Sequence, residues 1–392
     1  MTDVYIAGAA RTPIGKFLGG LAATPAVELG AIAIGGALDK AGLAPDSVDE
    51  VIMGNVLSAG VGQAPARQAA IKADIPVKAS VMTINKVCAS GLEAIHLAAR
   101  SIREGEADVV VAGGMESMSG APYLVPGARQ GLRAGNQTLV DSVIQDGLWC
   151  ALEQHHMGNS AEAIAEKYGL TRDDLDEYAL ESHRRATSAW ESGAFDDEVV
   201  PVSITANRQA TSVVRDEAPR ADTSLESLRR LKPAFANDGL VTAGNAPGLT
   251  DGAAALVVVS DRAANQYGLH PIARVVGHAA TGIEPLWLFD APVDAARTLM
   301  ERTGTDLDDY DLLEINEAFA AQIVANGRVL GWDWARVNVN GGAIALGHPL
   351  GATGARLVVT LLNAMRARGA KRGLAGLCHG GGGAVAMSFE AI

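Results

Sequence analysis

Cysteine is scarce in this chain: Cys88, Cys150 and Cys378 are the only three in 392 residues, and they lie far apart. That spacing excludes a disulfide framework and a CxxC metal knuckle, so no metal is expected and reactivity is the role left for these thiols. Long apolar runs are missing too. A run such as 253–259 falls well short of the roughly 18 residues that a membrane span requires, and the first residues carry no signal-peptide core. The expected location is therefore the cytoplasm, with no membrane partner. Basic residues are in deficit, 32 Lys plus Arg against 45 Asp plus Glu, a net charge of −13. The mean field repels a polyanion, and no nucleic-acid partner is expected. The 45 glycines follow no Gly-X-Y period, which excludes collagen, and 48% apolar residues exclude a disordered chain.

What is present is Ala, Gly, Val and Ile, with only 4% aromatic residues. Small side chains let helices approach strands closely, and the chain reads as α/β. Short buried strands are expected at residues 4–7, 50–54, 108–112, 255–259, 272–277, 312–315 and 374–378, each ending near a turn residue. Helical periodicity occupies 27–41, 91–104, 293–303 and 351–368. Gly42, Asp46 and Asp49, leading into the strand at 50–54, match Gly304, Asp308 and Asp311, leading into 312–315, without a gap. The shared order of elements around these matches indicates a duplicated α/β unit. Residues 119–245 break the rhythm and read as an insertion lying over the first half. Within it Thr171 and Asp174 form a capping-box start, and the acidic run 173–177 reads as a solvated first turn.

Several motifs carry potential chemistry. In Asn85-Lys86-Val87-Cys88-Ala89-Ser90-Gly91 a cysteine stands where an extended segment meets a helix start, where a thiolate is favoured; a small buried hydrophobe is the plainer reading. In Asn340-Gly341-Gly342-Ala343-Ile344-Ala345-Leu346-Gly347-His348-Pro349 a lone histidine is wedged between Gly and Pro, in a setting that allows close backbone approach. Cys378-His379-Gly380-Gly381-Gly382-Gly383 follows a strand and could aim several N–H groups at one point, as an oxyanion pocket requires, or could simply be a tight turn. Asn316 in Ile315-Asn316-Glu317-Ala318-Phe319 could orient water or cap a helix. A GxxxxGK[ST] loop and a G-x-S-x-G elbow are both absent.

Together with Arg11-Thr12-Pro13-Ile14-Gly15, Gly113-Gly114-Met115-Glu116 and Met157-Gly158, these motifs resemble the thiolase family, in its acetyl-CoA acetyltransferase branch, over essentially the whole chain. The resemblance implies two βαβαβαββ halves in five α/β/α/β/α layers, with an inserted loop domain. Residues 1–118 plus 246–270 would form the N-terminal half, 119–245 the insertion and 271–392 the C-terminal half. It further implies a reversible Claisen condensation of two acetyl-CoA to acetoacetyl-CoA and CoA, using CoA thioesters as substrates and no further cofactor. In that reading Cys88 is the nucleophile, His348 its base, and Cys378 the acid/base at the α-carbon. Asn316 would hold a water that completes one oxyanion hole, and the N–H groups of Cys88 and Gly380 would form the other. His156, Met157, Arg220, Ser227, Phe235 and Phe319 would contact CoA. A homotetramer is expected, with the segment around Tyr123 to Arg133 as a contact.

The chain departs from the family pattern at Pro247, His379 and Gly383 and in the bulky Leu286-Trp287-Leu288-Phe289-Asp290 stretch, which bears on acyl length. Competing readings are a thiolase for longer 3-ketoacyl-CoA, a decarboxylating ketoacyl synthase, and a non-catalytic acyl-CoA or lipid-binding protein.

Overall fold

The computed structural model describes residues 2–206 and 209–392. Its main sheet contains β1 (Val4–Arg11), β2 (Glu50–Gly54), β3 (Ser80–Ile84), β4 (Val109–Ser117), β5 (Thr250–Ser260), β6 (Ala273–Gly282), β7 (Leu312–Ile315), β8 (Arg372–His379) and β9 (Gly383–Ala391). The strand order is β7-β8-β9-β6-β1-β5-β4-β2-β3. The two halves of this path meet only where Tyr5 and Ile6 pair with Arg274 and Ala273. The helices are α1 (Ala26–Ala41), α2 (Pro65–Lys72), α3 (Ser90–Glu104), α4 (Met157–Lys167), α5 (Arg172–Glu191), α6 (Leu225–Arg229), α7 (Asp261–Gln266), α8 (Ala291–Thr303), α9 (Ala320–Leu330), α10 (Ala343–Leu346) and α11 (Leu350–Arg368). Among the described residues no helix is long and apolar enough to cross a membrane.

Strand alternation produces the layers. In β4, Val109, Val111 and Met115 face the core under α1 and α2, whereas Val110 and Ala112 face α3 and α11. In β8, Ala375 and Leu377 face α3 and α11 from the other side, while Leu374 and Cys378 point to the core shared with α8 and α9. The pair α3 and α11 is thus sandwiched between two half-sheets, and the chain forms five layers. Central strands run longer than expected from sequence because they are covered on both faces: β5 is buried at every position from Thr250 to Ser260.

The first half follows the order β1-α1-β2-α2-β3-α3-β4-β5. The second repeats it with one strand reduced to a single bridge between Leu313 and Val337. Asn338, at φ +46°, supplies the reason. Its side chain accepts from the Ile315 N–H (2.8 Å) and donates to the Ile315 carbonyl (2.8 Å), replacing the ladder that a full strand would offer β7. The matched Gly42 and Gly304 both end helices in the left-handed region, at φ 66° and 64°.

Two expectations about the insertion need correction. Its helices do not lie over the first half: α4 and α5 pack against α9 and α10 in one core with Ile164, Leu175, Ala179, Phe319 and Ile323, because those helices supply the complementary apolar face. The acidic run is not wholly solvated. Asp174 closes the capping box with Thr171, but Asp176 is buried, held by Arg172 Nε (2.8 Å) and Asn245 Nδ2 (2.9 Å).

Candidate active site

Cys88 follows β3 and directly precedes the N-cap of α3. Val87 before it sits at φ +48°, a conformation that an L side chain rarely adopts, and a local clasp holds it there. Ser90 Oγ donates to the Val87 carbonyl (2.6 Å) and accepts the Lys86 N–H (2.8 Å), while Asn85 Oδ1 accepts the Val87 N–H (2.9 Å).

The start of α11 reaches the same place through close backbone contact: a Cβ on Gly114 would lie 1.9 Å from the Gly351 carbonyl oxygen. Only glycine in β4 permits that approach. A buried carboxylate straps the junction. Glu116 Oε1 accepts from Asn55 Nδ2 (2.8 Å) and the Leu57 N–H (3.1 Å), and Oε2 accepts from the Val56 N–H (3.1 Å) and the Gly351 N–H (2.8 Å).

His348, immediately before α11, is buried with Nδ1 2.7 Å from Thr353 Oγ1. The Thr353 hydroxyl donates its one proton to the Pro349 carbonyl (2.9 Å), so Nδ1 carries the imidazole hydrogen and Nε2 keeps a lone pair. That nitrogen faces Asn316 Nδ2 at 3.4 Å. Asn316 is not a helix cap, since α9 starts at Ala320. Its N–H donates to the Gly376 carbonyl (2.9 Å), tying it to β8, and its buried Oδ1 has no protein partner. Glu317 braces the same region from below, accepting from Tyr178 Oη (2.7 Å), Ser182 Oγ (2.8 Å), Asn338 Nδ2 (3.0 Å) and the Ile344 N–H (2.9 Å).

Cys378, buried in β8, pairs with Ala384. The four glycines after it do not converge on one point. Gly381 and Gly382, at φ +89° and +91°, make a tight turn between β8 and β9, and Gly383 already pairs with His379. Of the four, Gly380 alone lines the cavity described next.

One cavity of about 330 Å³ is lined by Cys88, His348, Cys378, His379 and Gly380. His156, Met157, Phe235 and Phe319 extend it, with Leu148, Pro247 and Phe289 among further walls. The His156 ring stacks on Phe235 (4.7 Å between centroids), and Phe319 meets Phe235 and Phe289 edge-on at 6.1 and 5.5 Å. Asn316 sits behind His348. Two sequence expectations fall outside this wall. Arg220 lines a separate hollow with His183, whose Nδ1 accepts the Arg220 N–H (3.2 Å). Ser227 is exposed and closes a capping box with Ser224 at the start of α6. The third cysteine, Cys150, is buried in the core beside Met157 and has a packing role.

Burial governs the charges. It pushes the Cys88 thiol up to about 12, against the pull of the Gly380 and Cys88 backbone N–H groups, and lifts Cys378 well above its ordinary range. It pushes His348 down to about 3, with Arg356 adding to the effect. The resting site therefore holds two protonated thiols beside a neutral imidazole whose Nε2 lone pair, facing the Asn316 amide at 3.4 Å, can accept a proton. Such a set can transfer an acyl group through sulfur and move a proton with a second thiol.

Sequence reasoning missed Thr353, Glu116 and Glu317 as the groups that orient this site. Glu116 and Glu317 did stand inside quoted motifs, and a carboxylate in an otherwise apolar strand end is the signal that could have flagged them. Of the departures, Pro247 and His379 line the cavity, and His379 and Gly383 are neighbours: a Cβ at 383 would lie 2.5 Å from His379 Nε2. Trp287 lies under Lys167 (4.6 Å) and is not among the lining residues.

Residues 4–262 match the family model of the thiolase N-terminal domain, and residues 269–391 that of the thiolase C-terminal domain. The acetyl-CoA acetyltransferase of Pseudomonas aeruginosa is 54% identical over 390 residues, 99% of each chain. That of Cupriavidus necator is 52% identical over 391 residues, 100% of each chain. The crystal structure of the Bacillus anthracis acetyl-CoA acetyltransferase matches with a TM-score of 0.98 at 44% identity, over 100% of this chain and 99% of that one.

Proposed function

The chain belongs to the thiolase family and is an acyltransferase; from that premise we propose that it joins two acetyl-CoA into acetoacetyl-CoA and CoA, and runs the same steps in reverse. The observation that carries the reading is the convergence of Cys88, His348 and Cys378 on one largely apolar cavity, with Asn316 behind His348.

In the first step Cys88 Sγ attacks the thioester carbonyl of acetyl-CoA while His348 Nε2 takes the thiol proton and delivers it to the departing CoA sulfur. The N–H groups of Cys88 and Gly380 stabilise the oxyanion. In the second step the Cys378 thiol passes its proton to His348 Nε2, and the resulting thiolate removes a proton from the α-carbon of another acetyl-CoA. The enolate oxygen is held by the Nε2–H that His348 has gained from Cys378, together with a water on Asn316, whose unpartnered Oδ1 can accept from that water. The carbanion attacks the acetyl group on Cys88, acetoacetyl-CoA forms, and Cys88 leaves as a thiolate that takes the proton back from His348, while Cys378 keeps the proton from the α-carbon. Atoms balance with CoA thioesters alone. The walls of Met157, Phe235, Phe319 and Leu148 suit the pantetheine arm, and His156 packs there through its ring. Arg220 and Ser227 lie away from this wall, and we assign them no contact with the reacting end.

The test is acetoacetyl-CoA thiolysis, read as loss of enolate absorbance and formation of acetyl-CoA. Cys88→Ala should lower turnover at least roughly 10³-fold. Cys378→Ala should still acylate Cys88 yet fail to condense. Efficient use of malonyl thioesters would favour the decarboxylating synthase, and CoA binding with no acylation of Cys88 would favour the binding protein. We also propose a cytoplasmic homotetramer that serves fatty-acid metabolism. Exposed Tyr123 and Leu132 support a contact in the segment around Tyr123 to Arg133; a monomer in light scattering would overturn it.

A further inference from the structure

Glu314 and Arg356 form a buried ion pair, Oε1 to Nη1 at 2.7 Å with both side chains 2% exposed, close to the groups that carry the chemistry. Glu314 stands on β7 two residues before Asn316, whose own N–H continues the ladder to Gly376, so alternation sets the two side chains on one face. Arg356 stands on α11 three residues after Thr353, the residue that orients His348, and that spacing puts both on one side of the helix. Two side-chain rungs thus join the β7 segment to the His348 and α11 segment: Asn316 to His348 at 3.4 Å, and Glu314 to Arg356 next to it. Resting on the condensation reading above, we propose that the Glu314–Arg356 pair is a positioning device that holds Asn316 against His348 for the enolate step.

Stability does not account for the pair. Arg356 Nε and Nη2 are buried with no protein partner among the described residues, and apolar side chains of similar volume in place of a buried ion pair are often as stable or more so. What a directional bond adds is a fixed register, and β7 needs one. It is a four-residue edge strand, laddered to β8 on one side and held on the other only by the Leu313–Val337 bridge and Asn338. His348, by contrast, is tied toward Cys88 without the pair, through Thr353 on its own helix and through the Gly351 N–H on Glu116. Loosening β7 therefore displaces Asn316 while His348 keeps its place beside Cys88. Burial lifts the Glu314 carboxyl to about 7 against the pull of Arg356, and the 2.7 Å bond serves in either charge state, because the guanidinium donates to an acceptor oxygen in both.

The experiment compares two reactions of the full-length protein. Exchange of labelled CoA into acetyl-CoA reports acylation of Cys88, which uses His348 but not Asn316. Thiolysis of acetoacetyl-CoA adds the carbon–carbon step, which uses both. Arg356→Met alone would strand a buried carboxylate and can fail by unfolding, so the decisive form is Glu314→Gln combined with Arg356→Met, which leaves no buried charge unpaired and should melt close to the parent. The expected result in that double variant is exchange within about threefold of the parent and thiolysis lower by about 10- to 100-fold, the effect of a misplacement on the order of an ångström. Thiolysis unchanged, exchange and thiolysis falling together, or a double variant that does not fold would each overturn the positioning role. A parent protein that exchanges label yet does not cleave acetoacetyl-CoA would be a different result, the failure of the condensation reading itself.

Discussion

Thr353 decides which nitrogen of His348 carries the proton. Its hydroxyl is committed as a donor to Pro349, which leaves it only an acceptor for Nδ1–H and keeps the lone pair on the cavity-side nitrogen. Thr353→Val preserves volume and removes that acceptor. Steady-state kinetics should then show kcat lower by about 10- to 100-fold, part of a general base's contribution, with KM little changed; an unchanged kcat would mean that the tautomer is set elsewhere. The thiol makes a second residue-scale prediction. Burial holds Cys88 at about 12 and His348 at about 3, so neither changes charge near neutrality in the free protein. A thiolate fraction set by so high a pKa grows about tenfold per pH unit. Alkylation of Cys88 by iodoacetamide should therefore keep rising from about pH 6 to 9, with no plateau. A plateau below about pH 8 would show that the imidazole and the N–H groups outweigh burial.

Elements reach their positions here through backbone contact rather than side-chain bulk. The starts of α3 and α11 can meet β2 and β4 because glycines stand at the crossing, and Glu116 then fastens the loop after β2 to Gly351. Its two oxygens accept four donors, so an amide in place of the carboxylate turns an NH₂ toward existing N–H groups. Glu116→Gln should cost about 2–6 kcal/mol, at about 1–3 for each of two orphaned donors, read from denaturant unfolding, and should lower kcat by shifting His348 relative to Cys88. A loss below about 0.5 kcal/mol would show that the loop is held by its apolar contacts alone. The shared boundary of His379 and Gly383 makes the same point at one turn: the two departures from the family pattern are a single local arrangement, a ring lying over a position that has no side chain.

Across the whole molecule, the insertion is tied to the first half by a buried ion network. Arg11 Nε bonds Glu198 (2.6 Å), its other nitrogens bond Asp216 at 2.7 and 3.0 Å, and Trp190 Nε1 joins Asp216 at 3.1 Å. Removing the cation would leave two buried carboxylates without a counter-charge. Arg11→Ala should cost about 3–5 kcal/mol and lower the melting temperature, and should expose the insertion to limited proteolysis before the rest. Equal cleavage across the chain would show that the network is not what holds the insertion. The helices of that insertion pack instead on α9 and α10, so the segment bridges both halves and forms one wall of the cavity with His156, Met157 and Phe235.

The sequence by itself determined the α/β layering, the duplication and the short list of reactive residues. Periodicity of 2 and 3.6 residues is local, and Cys88, His348, Cys378 and Asn316 each stand in a motif that can be read without knowing its neighbours. It did not disclose β3 or β9, whose polar and glycine-rich starts mask alternation, nor the loss of a strand at Val337. The tertiary structure alone decided what depends on residues distant in the chain: the separation of Arg220 from the cavity, the orientation of His348 by a hydroxyl in the next helix, and the strapping of the site by Glu116 and Glu317. The physical reason is that burial and hydrogen-bond direction set a group's charge and its aim, and both are properties of the folded environment rather than of the residue.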